Sequence, residues 1–586
     1  MLVRTAILCV AALAPAAAQS TTRVSVDSAG VQAAGGSWVP SCSGDGRFIG
    51  FQSDAPNLVT GDTNGAMDVF LHDRANGSTR ILSIDRSGGP ADGPSFGPRV
   101  STDGRFVAFC SNATDLVTGD LNGVRDVFVR DRLSHSTVRV SVDSSGGEAN
   151  GASATAIFQG YGQVHHSPYA IDISADGRVV AFESAASNLV AGDTNAKNDI
   201  FVHDLASGLT ERVSVHASGA QNPLGSSFAR ISGDGQRVLF WTSGQLVAGD
   251  QNTEIDSYVR DRAAATTLFA SAPFGAAQSI DPSFALDLSA DGRFAMFTSD
   301  SHALTPPPYS THTEIFVRDL ALGVTSVVST TSSGAFGNNY SGLDLQGAIS
   351  ADGRYVLFDS YASNFVAGDT NSYLDLFVKD VLTGAIERVN VTATDGQVNG
   401  IMRSCALSDD GRIVAFHAPE SIANLVAGDS NGAFDVIVRD RASTVRAVTS
   451  YCTAKTNSAG CAPVISTSGE PRLSGYDAFF VSATGVLSQQ RGTFFWSALS
   501  GAVPFGGGWR CVLEPLARTP SQTSGGNTAS VDCTGSYSFH FDQSYMASLS
   551  VVAGVPLYGQ FWSRDPGFAW PNDVGLSNAI MFTPAP

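Results

Sequence analysis

The sequence predicts an all-β protein, a seven-bladed β-propeller followed by a small β-sandwich-like domain. Three observations carry this expectation. A Ser-x-Asp-Gly-Arg motif leading into a strand such as Phe106-Val107-Ala108-Phe109 recurs seven times, with Gln236 in place of Arg in the fourth copy. Each recurrence contains short apolar runs separated by Asp-Gly and Gly-rich turns, with no helical periodicity. After Cys452 the recurrence stops, and alternating stretches such as Ser536-Tyr537-Ser538-Phe539-His540-Phe541 take over.

The chain opens with Arg4, an apolar run over 6–13 and Ala16-Ala17-Ala18 before Gln19, which is the order of a secretory signal. Residues 1–18 are therefore expected to be a signal peptide, 19–451 the propeller and 452–586 the carboxy-terminal domain. The expected location is extracellular, periplasmic or at the cell surface. The apolar run is shorter than the roughly 20 residues that span a bilayer, so no membrane span is expected. With 54 acidic against 35 basic residues and a net charge of -19, the chain repels polyanions, which argues against nucleic acid as a partner.

The seven motifs begin at Ser43, Ser101, Ser174, Ser232, Ser289, Ser350 and Ser408. One unit is about 58 residues, with roughly 15 more in the second interval, read as a loop insertion. Within a unit the order is constant: an apolar strand, the Asp-Gly-Arg turn, a second strand, a long polar loop, a third strand such as Asp126-Val127-Phe128-Val129, an Arg-Asp turn and a fourth strand. Four short antiparallel strands make one propeller blade. Ser-Ala-Asp-Gly-Arg-Val-Val-Ala-Phe at 174–182, followed by Asp199-Ile200-Phe201-Val202-His203-Asp204, resembles the TolB-like (WD40-like) propeller repeat over about residues 22–450. The resemblance implies the fold and no single function, since such propellers serve as docking platforms, companions of peptidase domains or lyases. Two segments suit the strand that closes the ring, Thr22 to Asp27 and Arg446 to Thr449.

Hairpin parity places the Asp-Gly-Arg and Arg-Asp turns on one face, with inter-turn salt bridges expected there, and the long loops and blade connections on the other. Six long loops carry Asp-x-Asn-x-x-x-Asp: Asp62/Asn64/Asp68, Asp120/Asn122/Asp126, Asp193/Asn195/Asp199, Asp250/Asn252/Asp256, Asp369/Asn371/Asp375 and Asp429/Asn431/Asp435. The fifth unit has Glu314 in the last position and a Pro-rich loop instead. Oxygens at this spacing suit Ca²⁺, and the pattern looks like part of the calcium loops of integrin-type propellers. The same residues equally shape turns by accepting backbone hydrogen bonds.

No His-Glu-x-x-His or phosphate loop is present. Gly93-Pro94-Ser95-Phe96-Gly97 matches Gly-x-Ser-x-Gly but lies in a blade connection, away from the strand-turn-helix setting that activates a serine. His72 and His203 fall at the repeat's Arg position and are expected at the surface. His165 and His166, at the end of the inserted loop, are candidates to hold a ligand or metal by imidazole.

In the carboxy-terminal domain, Cys452 with Cys461 and Cys511 with Cys533 lie near enough to bridge, although sequence leaves connectivity open. Trp496, Trp509, Trp562 and Trp570 suit either a sugar-stacking platform or core packing. Tyr451-Cys452-Thr453 through Cys461 and Gln560 through Gly567 look like modules at the ends of large secreted bacterial proteins. The expected function is that of a secreted binding or scaffold protein that docks a protein or glycan on the long-loop face. The alternative is an extracellular carbohydrate-active or hydrolytic enzyme with its site in the propeller funnel, where His, Arg and carboxylates would converge.

Overall fold

The computed structural model describes residues 19–154, 170–275, 281–345, 347–392, 394–419, 425–441, 449–468, 471, 473, 479–552, 555–582 and 584. The chain divides into two compact units, the first running from Gln19 to Arg441 and the second containing residues 442–586.

The first unit is seven four-stranded antiparallel sheets in chain order, a seven-bladed propeller. Blade 1 consists of Ser37–Cys42, Phe48–Ser53, Asp68–Asp73 and Ser78–Ile81, and each later blade repeats that order. The first strands of successive blades stand side by side, with the seventh beside the first, so together they line the axis. Each middle strand is buried on both faces because it is packed between neighbouring blades, which is why Phe48–Ser53 and Asp126–Asp131 are buried along their whole length. Cross-strand aromatic pairs mark the blade interiors. Phe51 stacks on Phe70 at 5.8 Å, Phe109 on Phe128 at 5.9 Å and Phe297 on Phe316 at 5.6 Å, each such pair contributing roughly 0.5–1.5 kcal/mol beyond its buried area.

The Asp-Gly-Arg turns are built alike. In blade 1 the Ser43 hydroxyl donates to Asp45 (2.7 Å), the Arg47 amide donates to the same carboxylate (2.9 Å), and Gly46 takes φ +65°, where a side chain would be strained. The inter-turn salt bridges are present: Arg47 forks onto Asp73 with both bonds at 2.7 Å, and Arg105–Asp131, Arg354–Asp380 and Arg412–Asp440 repeat the fork. Blade 3 departs, since Arg178 approaches its own turn's Asp176 at 3.6 Å.

Ring closure comes from the amino terminus. Ser20–Arg23 pairs with Asp435–Asp440 as the outermost strand of blade 7, in the register Thr22 to Val438. Of the competing segment Arg446 to Thr449 only Thr449 is among the described residues, and it belongs to Thr449–Tyr451, which pairs with Val574–Phe582 in the second unit.

The second unit places Thr449–Tyr451, Val574–Phe582, Leu557–Arg564, Arg491–Ser497 and Ala517–Arg518 in one sheet and Val464–Ser468, Phe480–Val486 and Gly535–His540 in another. Val481, Phe494, Trp496, Phe541, Phe561 and Phe582 fill the shared core. Its cysteines pair as Cys452–Cys511 and Cys461–Cys533, so the nearest-neighbour pairings expected from sequence are replaced by longer ones. Loops of 59 and 72 residues each restrain the unfolded chain by about 4 kcal/mol on the chain-entropy account. Among the described residues the one helix, Gln543–Ser548, has six residues, and no helix is long and apolar enough to cross a membrane.

Deleting residues 19–27 is expected to remove the outer strand of blade 7 and lower the propeller's melting temperature sharply, read by circular dichroism. An unchanged melt would assign closure to another segment.

Candidate functional site

The six Asp/Asn loops fold into one arrangement. Each Asn oxygen accepts the backbone N–H two residues on, from Ala66 to Asn64 at 2.9 Å through Ala433 to Asn431 at 3.0 Å. This is an Asx-turn. The Asn nitrogen donates the other way. Asn64, Asn122, Asn195 and Asn252 reach the closing carboxylates of Asp68, Asp126, Asp199 and Asp256 at 2.7–3.1 Å. Asn64, Asn122, Asn195, Asn371 and Asn431 also clamp a carbonyl of the following blade connection.

The positive charge among these carboxylates comes from the chain itself in four blades. Arg139 lies 3.2 Å from Asp120, 3.4 Å from Asp126 and 2.6 Å from Glu148. Arg212 stands 3.3 Å from Asp193 and 3.4 Å from Asp199, and Arg388 lies 3.4 Å from Asp369 and 3.1 Å from Asp375. Arg23, on the closing strand, reaches Asp435 at 2.8 Å and Asp429 at 3.5 Å. In blade 4 the Tyr258 hydroxyl donates to Asp250 instead. Blade 1 has Ile81 where blade 2 has Arg139, and its Asp62 meets no guanidinium among the described residues. Among the described residues no group of three or more His, Cys, Asp or Glu stands close enough to hold a metal ion.

The closing carboxylate is buried in every blade. It accepts a hydrogen bond from the residue just past the fourth strand: Ser83 to Asp68 at 2.6 Å, Ser141 to Asp126 at 2.5 Å, Ser214 to Asp199 at 2.9 Å, Ser271 to Asp256 at 2.6 Å, Asn390 to Asp375 at 2.6 Å and Ser25 to Asp435 at 2.7 Å. Ser329 does the same for Glu314 in blade 5. Burial pushes Asp68, Asp256 and Asp375 up to about 6 and Glu314 up to about 7.

Other candidates resolve differently. Ser95 opens the first strand of blade 2 with its hydroxyl 2.8 Å from that of Ser111, far from a nucleophile's setting. His72 and His203 are buried, not at the surface as expected from the repeat. Their Nδ1 atoms pair with Thr79 and Thr210 at 2.9 and 2.8 Å, and burial lowers both pKa values. His165 and His166 lie outside the described residues. Trp496 is in the core of the second unit, Trp562 is half-buried under Arg564, and Trp509 and Trp570 are 49% and 84% exposed.

The propeller axis holds what motif reading missed. Arg99, Asp172, Arg230 and Asp287, one from each of blades 2 to 5, line one cavity. Arg230 is buried and its pKa falls to about 10, chiefly by desolvation and then by the nearby Arg99, while burial raises Asp287 to about 6. All four stand two residues before the repeat's Ser, so aligning the repeats vertically is the signal that finds them.

No family model and no curated protein matches this chain. Solved structures of similar fold include oligogalacturonate lyase from Vibrio parahaemolyticus, 12% identical over 72% of this chain and 93% of that one with a TM-score of 0.42. TolB from Acinetobacter baumannii is 15% identical over 70% and 80%, with a TM-score of 0.30. The acylaminoacyl peptidase of Pyrococcus horikoshii is 10% identical over 77% and 57%, with a TM-score of 0.37. These likenesses concern the fold and transfer no activity.

Three outcomes follow from the loop chemistry. Arg139→Met leaves the buried Asp120 and Asp126 without their counter-charge, and an expected loss of about 3–5 kcal/mol is measurable by urea unfolding. The melting temperature is expected to be higher in millimolar Ca²⁺ than in EDTA through the blade 1 loop of Asp62 and Asp68, and an unchanged melt would contradict calcium at these loops. Carboxylates whose folded pKa is raised stabilise the fold below their unfolded pKa and lose that contribution as pH rises through the folded value. With folded values of about 6 to 7 at Asp68, Asp256, Asp375 and Glu314, the melting temperature is expected to rise as pH falls from 7.5 towards about 5. Asp68→Asn, Asp256→Asn and Asp375→Asn together should flatten that slope.

Proposed function

We propose that this chain is a secreted binding or scaffold protein that docks a protein or glycan on the long-loop face of its propeller. One observation carries the reading. The loops and connections of that face hold out large apolar side chains from four places around the ring: Leu121 (86% exposed), Leu224 (55%), Phe274 (61%) and Tyr373 (43%). The opposite face also exposes leucines, Leu133, Leu209 and Leu322 among them, but Phe274 and Tyr373 lie on the long-loop face, and aromatic residues are enriched at interaction surfaces. The two disulfides fit an oxidising compartment, in keeping with a secreted protein. Calcium, as a stabiliser of these loops, has its opening in blade 1, where Asp62 and Asp68 lack the guanidinium that serves blades 2, 3, 6 and 7.

A second reading, a hydrolytic or carbohydrate-active enzyme working in the funnel, draws support from Asp287. Its pKa, about 6, lies in the range of a general acid, and Arg230 stands 3.8 Å from it.

The test compares partners captured by the wild type with those captured by two triple variants. Leu121→Ser/Phe274→Ser/Tyr373→Ser strips the long-loop face, and Leu133→Ser/Leu209→Ser/Leu322→Ser strips the opposite one. Capture is expected to fall at least about tenfold, some 1.4 kcal/mol, with the first variant alone. Loss with the second and retention with the first would contradict the reading.

A further inference from the structure

The position two residues before the repeat's Ser forms one level of the propeller axis. In blades 2 to 5 it carries Arg99, Asp172, Arg230 and Asp287, alternating in sign around the wall. In blades 6, 7 and 1 it carries Ala348, Ala406 and Ser41, whose small side chains leave the cavity open against the charged arc. The cavity measures about 140 Å³.

The two carboxylates are fixed to the wall by the next blades. The Ile231 amide donates to Asp172 and the Ile349 amide to Asp287, each at 2.9 Å. The guanidiniums are less fully used. Arg99 donates through Nε to the Ile171 carbonyl at 3.2 Å, and its Nη atoms have no protein partner among the described residues. Arg230 lies over the Phe228 ring at 4.2 Å, donates through Nη1 to the Ala229 carbonyl at 2.8 Å, and stands 3.8 Å from Asp287 through Nε. Its Nη2 has no protein partner among the described residues, although the residue is only 7% exposed.

Arc and cavity together select a ligand class. The four charges sum to zero, so a lone anion would gain guanidinium N–H groups while facing two carboxylates, and a lone cation would meet the reverse. A molecule carrying both charges satisfies both pairs. Size narrows the class further, because a cavity near 150 Å³ accommodates a ligand about as large as benzene. That volume takes a single small molecule.

We propose that the propeller's axial cavity is a binding site for a small zwitterion, a free α-amino acid of about the size of alanine or serine. Its carboxylate lies on the open N–H groups of Arg99 and Arg230 in the bidentate manner guanidiniums favour. Its ammonium lies on Asp172 and Asp287.

Isothermal titration calorimetry of the mature protein tests this with L-alanine and L-serine as probes and with acetate and methylammonium as single-charge controls. Saturable 1:1 binding of at least one amino acid is expected, with each control weaker by about tenfold or more. Arg99→Gln is expected to weaken that binding by about tenfold or more. Ala406→Leu, which fills the cavity and leaves every charge in place, is expected to abolish it. Melting curves of both variants establish that they fold, and Ala406→Leu keeps the test decisive should Arg99→Gln fail to fold. The proposal is overturned if neither amino acid gives saturable binding at tens of millimolar, if acetate or methylammonium binds as tightly as they do, or if binding survives in a folded variant.

Discussion

The buried carboxylate that opens the third strand of every blade is the constraint on which this propeller depends. Removing an ionised carboxylate from water is costly unless it is hydrogen-bonded and paired. Here each one collects a hydroxyl or amide from the residue past the fourth strand; Asp68, Asp126, Asp199 and Asp256 also collect an Asn nitrogen from the long loop, and Asp126, Asp199, Asp375 and Asp435 a guanidinium. The donor's hydroxyl also accepts the backbone N–H of the residue that follows the carboxylate, as when Val127 donates to Ser141 at 3.0 Å. Loop shape, strand pairing and exit direction are thus tied at one atom group. In blade 7 the group reaches across 410 residues to Ser25, so the interaction that shapes each blade also closes the ring.

Much of this was legible in the sequence because it repeats. Seven copies of the Asp-Gly turn, six of them followed by Arg, gave the blade count, the strand order and the Arg–Asp forks, since hairpin parity alone brings those turns together. Choices between equivalent segments were not legible. Thr22 to Asp27 and Arg446 to Thr449 have the same strand-like character, and pairing with Asp435–Asp440 is what separates them. The cysteine pairing was hidden for the same reason, because nearness along the chain says little about nearness across two sheets.

The Asp/Asn loops show a subtler limit. Spacing tells which residues bring oxygens to one place, but it does not tell which way an amide faces. Asn64, Asn122, Asn195 and Asn252 turn nitrogen, not oxygen, towards the carboxylate, and their oxygens are held by their own turns. The guanidiniums that neutralise Asp120, Asp193 and Asp369 come from fourth strands some 20 residues away. His72 and His203 were misplaced because a side chain at an Arg position looked exposed, whereas neighbouring blades cover it. The axial arc of Arg99, Asp172, Arg230 and Asp287 is invisible within any one repeat and emerges only when repeats are read against one another. Repetition secures the scaffold, so what differs between repeats is where individual function resides.

The most direct test of this account is a double-mutant cycle on Ser25→Ala and Asp435→Asn, with stability read from urea unfolding. A shared closing bond predicts a coupling of about 1–3 kcal/mol between the two sites. Effects that add to within about 0.5 kcal/mol would contradict it and leave ring closure to backbone pairing alone.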